Sequence, residues 1–152
     1  IEESTPVQAG CIPPMREWKD VIAKAPTGTG KTFAFGIPII EHIEPGSEET
    51  EAVILAPTRE LAMQITAELR DLAVFMSGIR VVCLYGGAPI GKQIDALKKK
   101  PQIVVATPGR LSDHMKRRTV SMPTIAVRGD APCLRRVRFT MASLCAWCMA
   151  TI

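Results

Sequence analysis

The chain has 152 residues, 47% of them apolar and 22% charged, which is enough for one domain with its own core and too few for two full ones. These values exclude intrinsic disorder and a coiled coil for most of its length, and no charge-free apolar run reaches the roughly 20 residues of a membrane helix. The formal charge of +4 is unevenly spread: residues 1–120 carry 15 Lys/Arg against 14 Asp/Glu, whereas the last 32 carry Arg128, Arg135, Arg136 and Arg138 against Asp130 alone.

In chain order, the first element signal is Cys11 in a helix-like context, followed by a turn-like segment around Trp18. Asp20 to Ala25 (DVIAKA) then reads as a weak strand. Three stronger strands follow at Ala52–Ala56 (AVILA), Arg80–Tyr85 (RVVCLY) and Gln102–Ala106 (QIVVA), each β-branched and bounded by breakers. Between them lie helical spacings: Lys31 to Ile43, then Leu61, Ile65, Leu69, Leu72 and Met76, then Ile90 to Lys100. Such alternation predicts a parallel sheet covered by helices, with ligands at the carboxyl ends of the strands. The segments after the strands are polar or glycine-rich: Pro26–Thr32, Pro57–Glu60, Gly86–Gly87 and Thr107–Arg110. Glu44 to Glu51 (EPGSEETE) reads as a solvated acidic connection.

The stretch Ala25 to Thr32, APTGTGKT, ends a strand and opens a helix, the context of a phosphate-binding loop. Gly28 and Gly30 permit a backbone that turns successive amides inward, and Thr27 and Thr29 complete the loop. The new helix adds free amides and the positive end of its dipole. Lys31 supplies a full charge to the β and γ phosphates, and the Thr32 hydroxyl is the expected Mg²⁺ ligand. The general pattern has Gly where this chain has Ala25.

These residues resemble the first RecA-like domain of the DEAD-box RNA helicases over about residues 1–120. Ser4-Thr5-Pro6-Val7-Gln8 looks like the family's Q motif, in which the glutamine reads the adenine edge. APTGTGKT looks like motif I, Ala56–Ala62 (APTRELA) like motif Ia, Gly86-Gly87 like the GG motif, and Thr107–Arg110 (TPGR) like motif Ib. The resemblance implies an α/β fold: a RecA-like P-loop NTPase domain with a parallel sheet flanked by helices, incomplete at the C-terminus. It also implies ATP and Mg²⁺ as cofactors. Thr5, Gln8 and residues 25–32 would hold the nucleotide, Lys31 and Thr32 being its catalytic members. RNA would be held by Pro57, Thr58, Arg59, Gly86, Gly87, Thr107, Pro108, Gly109 and Arg110, and a second RecA-like domain would close on the first. Hydroxyl, guanidinium and amide donors at strand ends suit sequence-independent contacts to phosphate. Taken singly, each short motif also fits an ordinary turn or helix start. Lys98–Lys100 and Lys116–Arg118 read better as solvated helix ends than as an RNA track.

The family's ATPase needs an Asp-Glu-Ala-Asp segment after a further strand, and a Ser-Ala-Thr motif beyond it; neither occurs. Thr124–Asp130 (TIAVRGD) imitates the first by coincidence, since Arg128 and Gly129 separate its acid from the apolar run. Residues 121–152 are therefore expected to be an unmatched tail, foreign or frame-altered, forming a filler helix or an irregular end. Cys145-x-x-Cys148 with Cys133 is a weak metal hook. Without those acids, the 152 residues are expected to bind nucleotide and RNA without hydrolysis. The chain opens on Ile1, as a fragment or a processed chain would. Five cysteines, an odd count, and no leader-like segment point to a reduced, cytoplasmic compartment.

Overall fold

The computed structural model describes residues 3–120 and the backbone of two further strands, 125–128 and 138–142. The order is α1 (Pro6–Arg16), β1 (Val21–Lys24), α2 (Lys31–His42), β2 (Ala52–Leu55), α3 (Arg59–Ala73), β3 (Val81–Leu84), α4 (Ile90–Leu97), β4 (Ile103–Ala106), α5 (Pro108–Lys116), β5 (Ile125–Arg128) and β6 (Arg138–Ala142). Each of the four expected strands is present. Their β-branched runs form one six-stranded sheet in the order β1-β6-β5-β2-β4-β3, every neighbouring pair parallel.

Parallel strands are covered on both faces because their crossovers are helices. One face carries Phe35, Ile39, Ile54, Leu69, Ile103 and Val105 with α1, α2 and α3; the other carries Val53, Leu84, Val104, Leu97 and Leu111 with α4 and α5. Helix α2 meets α3 closely at Gly36, where an added Cβ would stand 2.9 Å from Leu69 Cδ2 and 3.1 Å from Leu72 Cδ1. Leu69 is fully buried there, and truncating such a leucine costs about 2–5 kcal/mol.

Strands β5 and β6 differ from the expectation of a filler helix or an irregular end beyond residue 121. Register supplies the physical reason. β1 pairs with β6 from Val21↔Phe139 to Lys24↔Ala142, and β2 pairs with β5 from Ala52↔Ile125 to Ile54↔Val127. Between β1 and β2 the sheet has room for two strands, and strand backbone facing that room must be hydrogen-bonded. The coincidental acid Asp130 and the cysteines Cys133, Cys145 and Cys148 lie outside the described residues. No helix among the described residues is long and apolar enough to cross a membrane.

Candidate nucleotide and nucleic-acid interface

Because all strands run parallel, their carboxyl ends gather the four polar segments along one rim. The first is the loop between β1 and α2. Gly28 and Gly30 adopt φ of +77° and +75°, left-handed values that cost an L side chain strain. At Gly30 the approach of Gln8 is a second constraint, since an added Cβ would overlap Gln8 Nε2; at Gly28 the corresponding space is open. Thr29 Oγ1 donates to the Pro26 carbonyl (2.8 Å). Lys31 Nζ lies back across the loop, donating to the carbonyls of Ala25 (2.7 Å) and Pro26 (2.9 Å). Both partners are neutral, so among the described residues its charge stays available to an anion. The half-buried Thr32 follows in the first turn of α2. An open cradle, the amides of a helix N-terminus and an uncompensated ammonium are a donor set that fits a polyphosphate.

The Thr5–Gln8 segment is clasped to this loop. Thr5 caps α1 and closes a capping box: Gln8 N donates to Thr5 Oγ1 (3.4 Å) and Thr5 N to Gln8 Oε1 (3.1 Å). Two further bonds reach across, from Thr5 Oγ1 to the Thr29 carbonyl (2.9 Å) and from Gln8 Nε2 to the Gly30 carbonyl (3.3 Å). The family resemblance assigns Gln8 to the adenine edge; in the structure its buried amide holds both the cap and the loop.

The other three segments lie at the ends of β2, β3 and β4. Pro57, Thr58 and Arg59 are exposed, as are Gly86, Gly87, Pro108 and Gly109, with Thr107 and Arg110 half-buried. Thr58 Oγ1 caps α3 by accepting from Leu61 N (3.2 Å), which leaves its O–H to donate. Thr107 makes no side-chain capping bond to α5. The Arg59 guanidinium stands 5.4 Å above the Tyr85 ring, and Gly87 has Arg59 Nη1 as its neighbour, 3.7 Å from where a Cβ would be. Thus the structure brings the end of β2 against the turn after β3. Arg110 Nη1 uses both its protons internally, donating to the Ala88 carbonyl (3.0 Å) and to Gln93 Oε1 (3.2 Å). Among the described residues its Nη2 and Nε meet no acceptor and remain for an outside one.

Sequence reasoning missed the junction beneath this rim. Gln93 is buried on α4, and its Nε2 donates to the Tyr85 carbonyl (2.9 Å). His114 is fully buried, with Nε2 3.1 Å from Gln93 Oε1 and Nδ1 2.8 Å from Thr119 Oγ1. Tyr85 O can only accept and Arg110 can only donate, so the Gln93 amide has one orientation and its Oε1 is an acceptor. His114 Nε2 therefore carries the proton. Burial, with Arg110 and Arg117 nearby and Asp113 opposing them, pushes the imidazole pKa down; the Thr119 hydroxyl lies against Nδ1 and donates to the His114 carbonyl (3.0 Å). One signal was available: Gln93 and Leu97 form the buried stripe of α4, where helical spacing calls for an apolar residue.

Two cations of the Lys98–Lys100 run are paired with acids on an exposed surface. Lys98 pairs with Asp95 and Lys100 with Glu48. Trp18 stacks on His42 with ring centroids 4.1 Å apart, and half of its surface is exposed at 48%.

A parallel sheet with a glycine loop and lysine between its first strand and a helix defines the P-loop class of nucleotide-binding α/β domains. The profile of the DEAD/DEAH box helicase family matches residues 5–138, and the chain belongs to that family. It is similar to the DEAD-box ATP-dependent RNA helicase CshA of Bacillus licheniformis, at 53% identity over 125 residues covering 82% of this chain and 26% of that protein. The Bacillus subtilis DEAD-box ATP-dependent RNA helicase CshA is 52% identical over 125 residues, 82% of this chain and 25% of the relative. The chain thus spans about a quarter of the length of these curated relatives. Among solved structures it resembles a hypothetical ATP-dependent RNA helicase from Sulfolobus tokodaii, with a TM-score of 0.79 and 29% identity over 93% of this chain and 46% of that one. A DEAD box protein from Methanococcus jannaschii gives 0.79 and 31%, over 92% and 44%. The fold is accordingly a RecA-like α/β domain, as the sequence implied. The profile match continues past residue 120, into the segment that contains β5.

Proposed function

We propose that this chain is the ATP-binding and RNA-binding N-terminal core of a DEAD-box ATP-dependent RNA helicase. The observation that carries the reading is the clasp between the Thr5–Gln8 segment and the phosphate loop, made by Thr5 Oγ1 to Thr29 and Gln8 Nε2 to Gly30. An ordinary glycine turn gives no reason for an upstream segment to be bonded to it, whereas a nucleotide site uses both pieces, one for the base and one for the phosphates.

In this reading Lys31 exchanges the carbonyls of Ala25 and Pro26 for phosphate oxygens, and the amides from Gly28 to Thr32 supply the rest of the cradle, with Ala25, Thr27 and Thr29 shaping it. Gln8 and Thr5 favour adenine by presenting amide and hydroxyl groups to its edge. Thr32 would hold Mg²⁺, which would neutralise phosphate charge when bound with ATP. Pro57, Thr58, Arg59, Gly86, Gly87, Thr107, Pro108, Gly109 and Arg110 hold the RNA backbone, so binding is indifferent to sequence. A second RecA-like domain, expected in a longer protein, would close on this rim and couple nucleotide to duplex separation. The cytoplasm is the expected compartment.

The test is a pair of titrations on the purified chain with ADP and GDP, and with a single-stranded polyuridylate. ADP should bind more tightly than GDP, and RNA should bind with an affinity that falls steeply with salt. Equal affinity for the two nucleotides removes the adenine reading, and salt-independent RNA affinity removes the backbone reading.

A further inference from the structure

β3 is an edge strand of the sheet, at the end opposite β1. Its Arg80 and Leu84 carbonyls accept from Ile103 N (3.2 Å) and Thr107 N (2.9 Å) of the β4 side. Successive carbonyls of a strand point to opposite sides, so those of Val81 and Tyr85 face the outer edge. Neither is left to solvent. Val81 O accepts from Arg70 Nε (3.2 Å) and Nη2 (2.9 Å), and Tyr85 O accepts from Gln93 Nε2 (2.9 Å).

The second of these caps has a property the first lacks. The same Gln93 amide that fixes Tyr85, immediately before Gly86-Gly87, accepts from Arg110 Nη1 through Oε1. Arg110 in turn donates to Ala88, immediately after those glycines. The turn is therefore held at both ends, by Gln93 at Tyr85 and by Arg110 at Ala88, and the two holders are bonded to each other. His114 Nε2–H donates to the same Gln93 oxygen (3.1 Å) from inside the core, so the junction cannot swing toward solvent without leaving buried polar groups unpaired. Two glycines in an exposed turn would otherwise be conformationally loose.

We propose that Gln93 is a positioning residue for RNA binding: the bonds of its buried amide to Tyr85 O and Arg110 make the Gly86–Ala88 turn and the Thr107–Arg110 segment one preorganised unit. This deepens the RNA-binding reading above and rests on it. Gln93 itself lies beneath the rim, so its effect on RNA passes through Arg110 and the turn. Preorganisation acts by removing the ordering cost that a loose turn would pay on binding.

The experiment uses the whole 152-residue chain, Gln93→Leu, Gln93→Glu, Arg110→Ala and the Gln93→Leu/Arg110→Ala double variant, read by polyuridylate affinity, ADP affinity and amide hydrogen exchange at Gly86–Ala88. Gln93→Leu should lose about tenfold in RNA affinity, keep its ADP affinity, and exchange faster at the turn. Gln93→Glu keeps the acceptor for Arg110 but turns a second acceptor toward Tyr85 O, so turn protection should fall and RNA affinity with it, by less than in Gln93→Leu. In the Arg110→Ala background, Gln93→Leu should cost far less than it does alone, because the two act as one unit. Losses that simply add, or a Gln93→Leu chain with wild-type RNA affinity and turn protection, overturn the proposal. If the wild-type chain binds no polyuridylate, the RNA reading fails instead. The exchange data still decide whether Gln93 fixes the turn: unchanged protection in both Gln93 variants overturns that as well. Should Gln93→Leu not fold, Gln93→Glu supplies the same readouts.

Discussion

Gln8 Nε2 donates to the carbonyl of Gly30 at 3.3 Å, joining the start of α1 to the last residue of the phosphate loop across 22 positions of sequence. The same side chain closes the cap on Thr5, so loss of the amide releases two bonds at once. Gln8→Ala should lower ADP affinity about tenfold, the worth of one or two hydrogen bonds in a half-buried site, and should narrow the gap between ADP and GDP. Isothermal titration of the variant against both nucleotides checks this. An unchanged ADP/GDP ratio would show that the amide serves the loop alone.

Among the described residues Lys31 has neutral partners only, so its removal deprives the loop of charge while breaking no ion pair with them. Lys31→Ala should bind ADP thirty- to a hundredfold more weakly, about 2–3 kcal/mol for a charge-assisted contact, and melt within a degree or two of the parent. ATP turnover by the parent chain should be indistinguishable from that of Lys31→Ala. The sequence after β5 runs Gly129-Asp130-Ala131-Pro132, without the pair of acids that the chemistry requires, and losing such groups costs about 10³- to 10⁵-fold. A steady-state phosphate-release assay with RNA present decides it, and turnover that Lys31→Ala abolishes would refute the expectation.

The strands that carry the rim were legible because buried parallel strands are written as short β-branched runs. AVILA, RVVCLY and QIVVA each fall within a residue or two of β2, β3 and β4. The loop was legible because its chemistry is local, with glycine, lysine and threonine adjacent in sequence. Helix α1 was less so: Pro13 and Pro14 lie inside it and read as breakers, and only the cap at Thr5 and packing of Cys11 and Met15 on the core override them. β6 was illegible because Arg138 to Ala142 alternates polar and apolar residues (RFTMA), whereas a buried strand of a parallel sheet is sought as a continuous apolar run; it is placed by β1 and β5 on either side. The Gln93 junction joins residues from Tyr85 to Thr119, and no local spacing encodes a bond that depends on where α4 and α5 dock. Polar residues at apolar-stripe positions are the trace such junctions leave in a sequence.

Arg59 is exposed and its guanidinium is held over the Tyr85 ring, which orients it toward Gly87 without neutralising it. If it contacts one phosphate, Arg59→Ala should weaken polyuridylate binding equally for all sequences tested. It should also reduce the slope of log affinity against log salt by somewhat under one, near 0.7 for a single strand. Lys99 lies on the solvated helix end and Lys99→Ala should leave the slope as it was. Fluorescence anisotropy across a salt series measures both, and equal effects of the two variants would mean that general charge, and not the strand-end geometry, holds the RNA.

His114 gives the fold a pH dependence whose sign is set by its surroundings. Burial is the largest cause lowering its pKa below the ordinary 6.5, with Arg110 and Arg117 adding to it and Asp113 opposing. In the unfolded chain the imidazole takes a proton as pH falls through 6.5; in the folded chain it resists, because burial and the charges of Arg110 and Arg117 disfavour the imidazolium. The unfolded state therefore binds more protons in that window, and stability falls with falling pH until the folded state's own lowered pKa is passed. Above about pH 8 both states are neutral and this group contributes no slope. Denaturant unfolding at about pH 8 and about pH 5.5 should show the loss, and His114→Gln, which cannot titrate, should flatten it. Glu41, held below the usual carboxylate range by Arg16, acts only at more acid pH and does not mask the effect. An identical slope in parent and variant would mean that folding leaves the imidazole pKa at its unfolded value, and a slope of opposite sign would mean that the fold holds the ring protonated.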